Sequence, residues 1–268
     1  MTKQPSSTAL LACALALADA SGQAIRPFFR TPIAVGDKGG VAGFDPVTAA
    51  DQAAERAIIG LLEETFPDHG VIGEEYGTVR PEARYRWVVD PIDGTRAFIM
   101  GMPTWGTLIG LMDGDALILG VMDQPFTGER FWSDGSAAHL RTADGHTRQI
   151  STRACPELAN AVFSTTHPDL FATTTEKRVH EAMKAGARMT RYGGDCYAYC
   201  LLAAGHIDVI VEPGLKAYDI AALVPIITRA GGRVTTWDGG DPAHGGDIVA
   251  CGDAALHEMV LGMIATVR

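Results

Sequence analysis

An apolar run, Tyr85-Arg86-Trp87-Val88-Val89, stops at Asp90-Pro91-Ile92-Asp93-Gly94-Thr95, and these six residues narrow what the chain can become. The run itself suits a strand. Proline fixes one backbone angle and gives up its N–H, while glycine reaches conformations other residues avoid, so the strand ends in a tight turn that can fold both aspartates toward one point. Hard oxygen ligands at that density, with a hydroxyl beside them, suit Mg²⁺ and a phosphate. Ordinary strand ends use the same residue types, so this string alone leaves a plain turn open as the lesser reading.

Other acidic residues fall where strands end or helices begin: Glu74-Glu75 after one strand and Asp219 at a helix start. Such positions can converge. Two divalent ions about 3.5–4 Å apart need a bridging carboxylate and several single oxygens, and Asp90 is the candidate bridge. A short helix over residues 95–101 would present the N–H groups of Gly94 and Thr95 to a phosphate, with Thr95 also able to orient a water.

The 268 residues are 47% apolar and 20% charged, enough for one large unit or two tightly joined halves. The formal charge of −10, with no clustered Lys and Arg, argues against a nucleic-acid or anionic-membrane surface and suits cation binding. Five cysteines (Cys13, Cys155, Cys196, Cys200, Cys251) without C-x-x-C spacing suggest neither a disulfide framework nor a zinc site, and fit a reducing cytoplasm. Near the N-terminus, Lys3, the apolar residues 9–18 and Asp19-Ala20-Ser21 imitate a signal peptide. The competing reading is a first helix, with Leu10, Leu11, Ala14, Leu17, Ala18 and Ile25 on one face and an apolar run too short to span a bilayer.

The glycine-rich loop 36–46 is the expected mobile segment, and its Lys38 reads either as an exposed residue or as one that swings over the site. Thr48 can cap a second helix running to Phe66, and a short strand then reaches Gly73. Residues 105–150 alternate and are punctuated by Asp113-Gly114, Asp134-Gly135 and Asp144-Gly145, the turn chemistry of an antiparallel meander packed on the first two helices. The second half reads as strands near 161–165, 188–190, 207–211, 233–235 and 248–251, with helices near 176–185, 195–202, 218–230 and from 254. This gives an N-terminal α+β half, 1–150, with an antiparallel sheet and most acidic ligands, and a C-terminal α/β half, 151–268. The boundary is soft and the two halves form one compact unit.

Gly73-Glu74-Glu75, Asp90-Pro91-Ile92-Asp93-Gly94-Thr95 and Tyr218-Asp219-Ile220-Ala221-Ala222 resemble, in order and spacing, the motifs of the inositol-monophosphatase-like family across nearly the whole chain. The resemblance implies an α/β (α+β) layered helix/sheet sandwich of the inositol monophosphatase/fructose-1,6-bisphosphatase type. It also implies a Mg²⁺-dependent, lithium-sensitive phosphomonoesterase using two or three ions, usually a homodimer, and it favours the retained first helix. Its implied metal ligands are Glu74, Asp90, the Ile92 carbonyl, Asp93 and Asp219, with Thr95 and Asp51 as the water-activating pair. Tyr218 stands where the family commonly has tryptophan, a change that tunes the pocket without removing a ligand.

The flanks Gly94-Thr95-Arg96-Ala97-Phe98-Ile99, Pro103-Thr104-Trp105-Gly106-Thr107 and Tyr192-Gly193-Gly194-Asp195-Cys196-Tyr197-Ala198-Tyr199 are similar to the histidinol-phosphatase branch. L-Histidinol phosphate carries an ammonium and an imidazole, which acids at a pocket rim complement. The implied substrate-binding residues are Gly94, Thr95, Arg96, Gly194, Asp195 and Glu212. Asp195 reads equally as a helix cap, and inositol phosphatases also place a carboxylate near Glu212. An inositol-1-phosphate phosphatase, a broad-specificity sugar or nucleotide monophosphatase, and a non-catalytic cation-binding protein therefore stay open. The eight histidines show no ligand spacing and read as surface or loop residues. Residues 239–247 read as a surface loop, and Cys196 and Cys200 as packing residues.

Overall fold

The computed structural model describes residues 4–39 and 46–267, so most of the loop expected to be mobile, residues 40–45, and Lys3 lie outside the described residues. Eight strands form one sheet, in the order Thr147–Ile150, Ala138–Arg141, Glu129–Ser133, Ala116–Gln124, Gly106–Asp113, Tyr85–Asp93, Gly70–Gly73, Thr78–Val79. The part from Gly106 to Ile150 is the antiparallel meander, and Gly114, Gly135 and Gly145 each take the positive φ that its tight turns require. A five-stranded mixed sheet follows the order Met189–Tyr192, Val162–Thr165, Val209–Lys216, Gly245–Cys251, Arg233–Thr236. Val35–Asp37 and Pro46–Thr48 pair as a small antiparallel ribbon.

Helices and sheets alternate because each sheet has two apolar faces to cover. Leu10, Leu17, Ile58 and Leu62, from helices Ser7–Ile25 and Ala49–Thr65, pack on Trp87, Ile109 and Leu119 of the large sheet. On its other face, Leu108, Met122 and Phe131 meet Leu202 and Ile226, from helices Asp195–Ala203 and Leu223–Arg229, which in turn cover Ile210 and Ile248 of the small sheet. Helices Thr174–Gly186 and Ala254–Val267 close the outer side through Val179, Met183, Leu256 and Val260. The result is a five-layer helix/sheet sandwich, the class the resemblance implies, whose central core joins the large sheet to helices and strands of the second half.

Two sequence expectations change here. The first helix is 19 residues long, and by length and composition it could cross a membrane, contrary to the short-segment expectation. Its Leu10, Ala14, Leu17, Ala18 and Ile25 are nevertheless buried against the second helix and the sheet, which accounts for its apolarity. The single helix expected over 218–230 is two, Ala217–Ile220 and Leu223–Arg229. Pro225 has no N–H for the Ala221 carbonyl, and that missing bond falls at the break.

Gly110 and Gly120 sit opposite each other in the large sheet. A Cβ on Gly110 would lie 2.9 Å from the Ala221 carbonyl carbon, and one on Gly120 only 1.8 Å from the Ala222 oxygen. The two glycines thus let the helix break rest directly on the sheet, bringing Asp219 down toward Asp90.

Candidate active site

Side chains alternate along a regular strand, so residues three apart face opposite ways. Asp90 and Asp93 escape this rule because the pairing shifts between them: Asp90 lies opposite Leu108 and Asp93 opposite Gly106. The extra residue is a bulge that turns both carboxylates to one side. The Ile92 N–H donates to Asp90 Oδ1 at 3.0 Å, and the Thr95 hydroxyl donates to the Ile92 carbonyl at 3.1 Å. From beneath, the Thr107 hydroxyl donates to the Pro91 carbonyl at 2.8 Å. Gly94 then opens helix Thr95–Ile99 with φ of 83°, a left-handed value glycine adopts without strain.

Asp219 joins them from the second half, its Oδ2 accepting the Lys216 N–H at 2.6 Å. Oxygens of Asp90, Asp93 and Asp219 all lie within 4.8 Å of one another. Asp93 Oδ2 also accepts the Cys196 N–H at 2.7 Å. Glu74, expected among the ligands, is not one of these three; burial and the Glu74 charge raise the Asp90 carboxyl, and Glu74 takes a 2.8 Å ion pair from Lys38 Nζ, which reaches Glu75 at the same distance. Lys38 is exposed, as in the first of its two readings, and its ammonium sits on the Glu74-Glu75 turn at the edge of the site. The donors are all oxygen, and close carboxylates repel one another, so the set fits a hard divalent cation.

Burial pushes Asp90 and Asp93 well above the usual carboxylate range, with their acidic neighbours adding to the shift. Asp51, Asp195 and Asp219 rise from 3.8 to about 6, about 6 and about 7, in each case chiefly through burial. Folded-state values above the unfolded ones mean that, between about pH 4 and pH 7, the folded chain holds more protons than the unfolded one. In chelator, the stability these carboxyls contribute is therefore present below that window and is lost as pH rises through it, outweighing the fewer and opposite shifts of His69 and His257. The melting temperature is expected to fall from pH 5 to pH 8, and added Mg²⁺ to raise it most at the alkaline end. A melting temperature that climbs with pH in chelator would contradict this.

Asp51 occupies the first turn of the second helix, where its Oδ2 accepts the Thr48 N–H at 2.8 Å and the Thr48 hydroxyl at 2.6 Å. Gly94, Thr95, Arg96 and Asp195 line an open cleft of about 550 Å³ beside the cluster. Asp195 starts its helix with φ of 45° and accepts the Thr104 hydroxyl at 3.1 Å. The cleft wall there is Gly193, while Gly194 packs on Ala198. Glu212, expected at the rim, is buried beneath it. It accepts the Tyr199 hydroxyl at 2.8 Å, and with Asp93, Asp195 and Asp219 it lines a recess of about 160 Å³. The pairing of its strand becomes irregular between Glu212 and Leu215.

Three histidines are not surface residues. His69, His180 and His257 are buried, His69 stacking on Phe66 at 4.5 Å while its Nδ1 accepts the Trp87 indole N–H at 3.0 Å. An aromatic ring that satisfies a buried indole packs well, which a search for ligand spacing does not reveal. In the 239–247 loop, Pro242 and Ala243 are buried, and Ala243 packs with Val88 and Ala221 under the Asp219 helix. All five cysteines are free and buried. Sequence reading missed Glu55, fully buried behind Glu74-Glu75, although an acid four residues after Asp51 on a core-facing helix was a usable signal.

Fold and site together define a class: five-layer helix/sheet proteins with an oxygen-donor cluster where a bulged strand meets a helix from the second half. A model of the inositol monophosphatase family matches residues 7–267, and the chain belongs to that family of phosphatases. It is 43% identical over 258 residues to the chloroplastic bifunctional phosphatase IMPL2 of Arabidopsis thaliana, spanning 92% of this chain and 72% of that one. It is 34% identical over 217 residues to a histidinol-phosphatase of Mycobacterium tuberculosis, covering 81% and 83% of the two chains. A solved inositol monophosphatase from Zymomonas mobilis superimposes with a TM-score of 0.85 at 39% identity, over 98% of this chain and all 100% of that one.

Proposed function

We propose that this chain hydrolyses L-histidinol phosphate to L-histidinol and phosphate in a Mg²⁺-dependent reaction. The observation that carries the reading is the convergence of Asp90, Asp93 and Asp219 beside a cleft whose wall and floor hold two further acids, Asp195 and Glu212. A phosphate with a cationic body suits that pairing, since the cluster's cations take the phosphate and the acids take the ammonium and imidazole. The likeness to a histidinol-phosphatase over most of the chain supports the same substrate.

Glu74, Asp90, the Ile92 carbonyl, Asp93 and Asp219 would hold two or three Mg²⁺ ions. When bound, the ions lower the pKa of water and offset negative charge on the phosphoryl and leaving oxygens. The chain supplies the rest. Thr95 and Asp51 orient the attacking water, and Asp51, pushed up to about 6 by burial, is basic enough to accept its proton near neutral pH. The N–H groups of Gly94 and Thr95 hold phosphate oxygens, Arg96, Gly193 and Asp195 line the cleft for the organic body, and Glu212 adds its charge from the recess beneath.

The half over residues 1–150 supplies the bulged strand and the half over 151–268 supplies Asp219 and the recess. Two such chains would form a homodimer. Free, buried cysteines support a reducing cytoplasm.

A second reading, inositol-1-phosphate as substrate, is supported by the likeness to the Zymomonas mobilis enzyme. Steady-state kinetics at saturating Mg²⁺ separate the two. The kcat/KM for L-histidinol phosphate is expected to exceed that for inositol-1-phosphate by more than about tenfold. Equal values would remove the histidinol phosphate assignment while leaving the phosphatase one intact.

A further inference from the structure

Glu74 reaches the cluster from the tip of a turn rather than from a strand or helix. The strand Gly70–Gly73 ends one residue before it, and the Gly73 N–H closes the turn onto the Gly77 carbonyl at 2.9 Å. Behind that turn lies Glu55, whose side chain is fully buried. Its Oε2 accepts the Glu75 N–H at 2.9 Å and its Oε1 accepts the Tyr76 N–H at 3.0 Å. The fit is close: a Cβ on Gly73 would lie 1.9 Å from Glu55 Oε1.

Burying a carboxylate among other acids is unfavourable, and a neutral side chain would fill this space at lower cost. A carboxylate does, however, present two acceptor oxygens side by side, matching two successive N–H groups of the turn. Glu55 also lies four residues after Asp51 on one face of the same helix. That helix therefore carries Asp51 and grips the turn that carries Glu74.

We propose that Glu55 is a positioning residue that sets the cation affinity of the site: its two hydrogen bonds fix the Glu74-Glu75 turn so that Glu74 faces Asp90. This rests on the reading of Glu74 as a metal ligand. Glu55 touches neither the reacting groups nor the cation; it acts through the turn.

The test is calorimetric titration of Mg²⁺ into the full-length wild-type protein and into Glu55→Gln and Glu55→Asp, with melting temperatures in chelator recorded alongside. Glutamine keeps the size but turns an NH₂ toward a backbone N–H. Aspartate keeps the charge but withdraws the carboxylate by one methylene. Both variants are expected to weaken Mg²⁺ binding by about 10–100-fold, because groups that hold a ligand in place typically have effects of that size. Their kcat should recover to near wild type at saturating Mg²⁺, so the loss lies in metal affinity rather than in chemistry.

Glu55→Gln with a lowered melting temperature but wild-type Mg²⁺ affinity would overturn the inference in favour of a purely structural role. Glu55→Asp with wild-type affinity would overturn it too, since charge alone would then suffice. If Glu55→Gln does not fold, Gly73→Ala presses on the same carboxylate and is expected to weaken Mg²⁺ binding in the same direction. Absence of Mg²⁺ uptake by the wild-type protein would overturn the reading of the site, and this inference with it.

Discussion

Asp93→Asn is expected to lower kcat/KM by about a thousandfold or more while the protein stays folded, since losing one group that stabilises transition-state charge has effects approaching that size. Asparagine keeps the shape and one oxygen, which can still accept the Cys196 N–H that Asp93 takes at 2.7 Å. What is lost is the negative charge in a cluster whose oxygens lie within 4.8 Å of one another. Because burial already pushes the Asp93 carboxyl upward, neutralising it relieves repulsion, and the melting temperature in chelator should hold or rise. Kinetics at saturating Mg²⁺ and a chelator melt, run on the same preparation, check both halves. Near-normal turnover would remove Asp93 from the ligand set; collapse of the fold would show a structural role instead.

Gly120→Ala is expected to have the second-largest effect, at a residue outside the acidic cluster. The added methyl would sit 1.8 Å from the Ala222 carbonyl oxygen, so the chain from Asp219 through Ala222 must back away from the sheet. Overpacking a close backbone contact typically costs about 1–3 kcal/mol. The same displacement draws Asp219 from Asp90 and Asp93, so turnover should fall more than tenfold, a rough figure for a site group moved by about an ångström. Gly60→Ala is the control, because nothing lies within 4 Å of a Cβ there. Chemical denaturation and Mg²⁺ titration of both variants decide the matter. Equal behaviour of the two would mean that the glycine pair does not seat Asp219.

The elements legible in the sequence are those whose signals are local. Thr48 as a cap and the Asp-Gly turns in the meander each follow from one or two residues, and the structure has them at those positions, whereas the strand expected to end at Val89 runs on through the bulge to Asp93. The resemblance in three short motifs carried the layered fold and the family. What stayed hidden depends on distant pairs. The bulge between Asp90 and Asp93 exists only relative to Leu108 and Gly106 on the neighbouring strand. Gly110 and Gly120 look like weak strand residues until Ala221 and Ala222 come down on them. Glu212 reads as a rim acid until Tyr199 and Thr166 bury it, and His69 reads as a loop residue until Trp87 and Phe66 enclose it. Residues 218–230 read as one unbroken helix because the apolar pattern continues across the point where Pro225 removes a hydrogen bond.

The central claim is that the Asp90, Asp93 and Asp219 cluster works as a cation-dependent phosphatase centre. Phosphate release from L-histidinol phosphate, followed while metal-stripped protein is titrated with Mg²⁺, tests it most directly. Turnover is expected to be at background in chelator and to rise to a plateau as Mg²⁺ fills the site. Undiminished turnover in chelator, or no release at any Mg²⁺ concentration from this substrate or from inositol-1-phosphate, would contradict it.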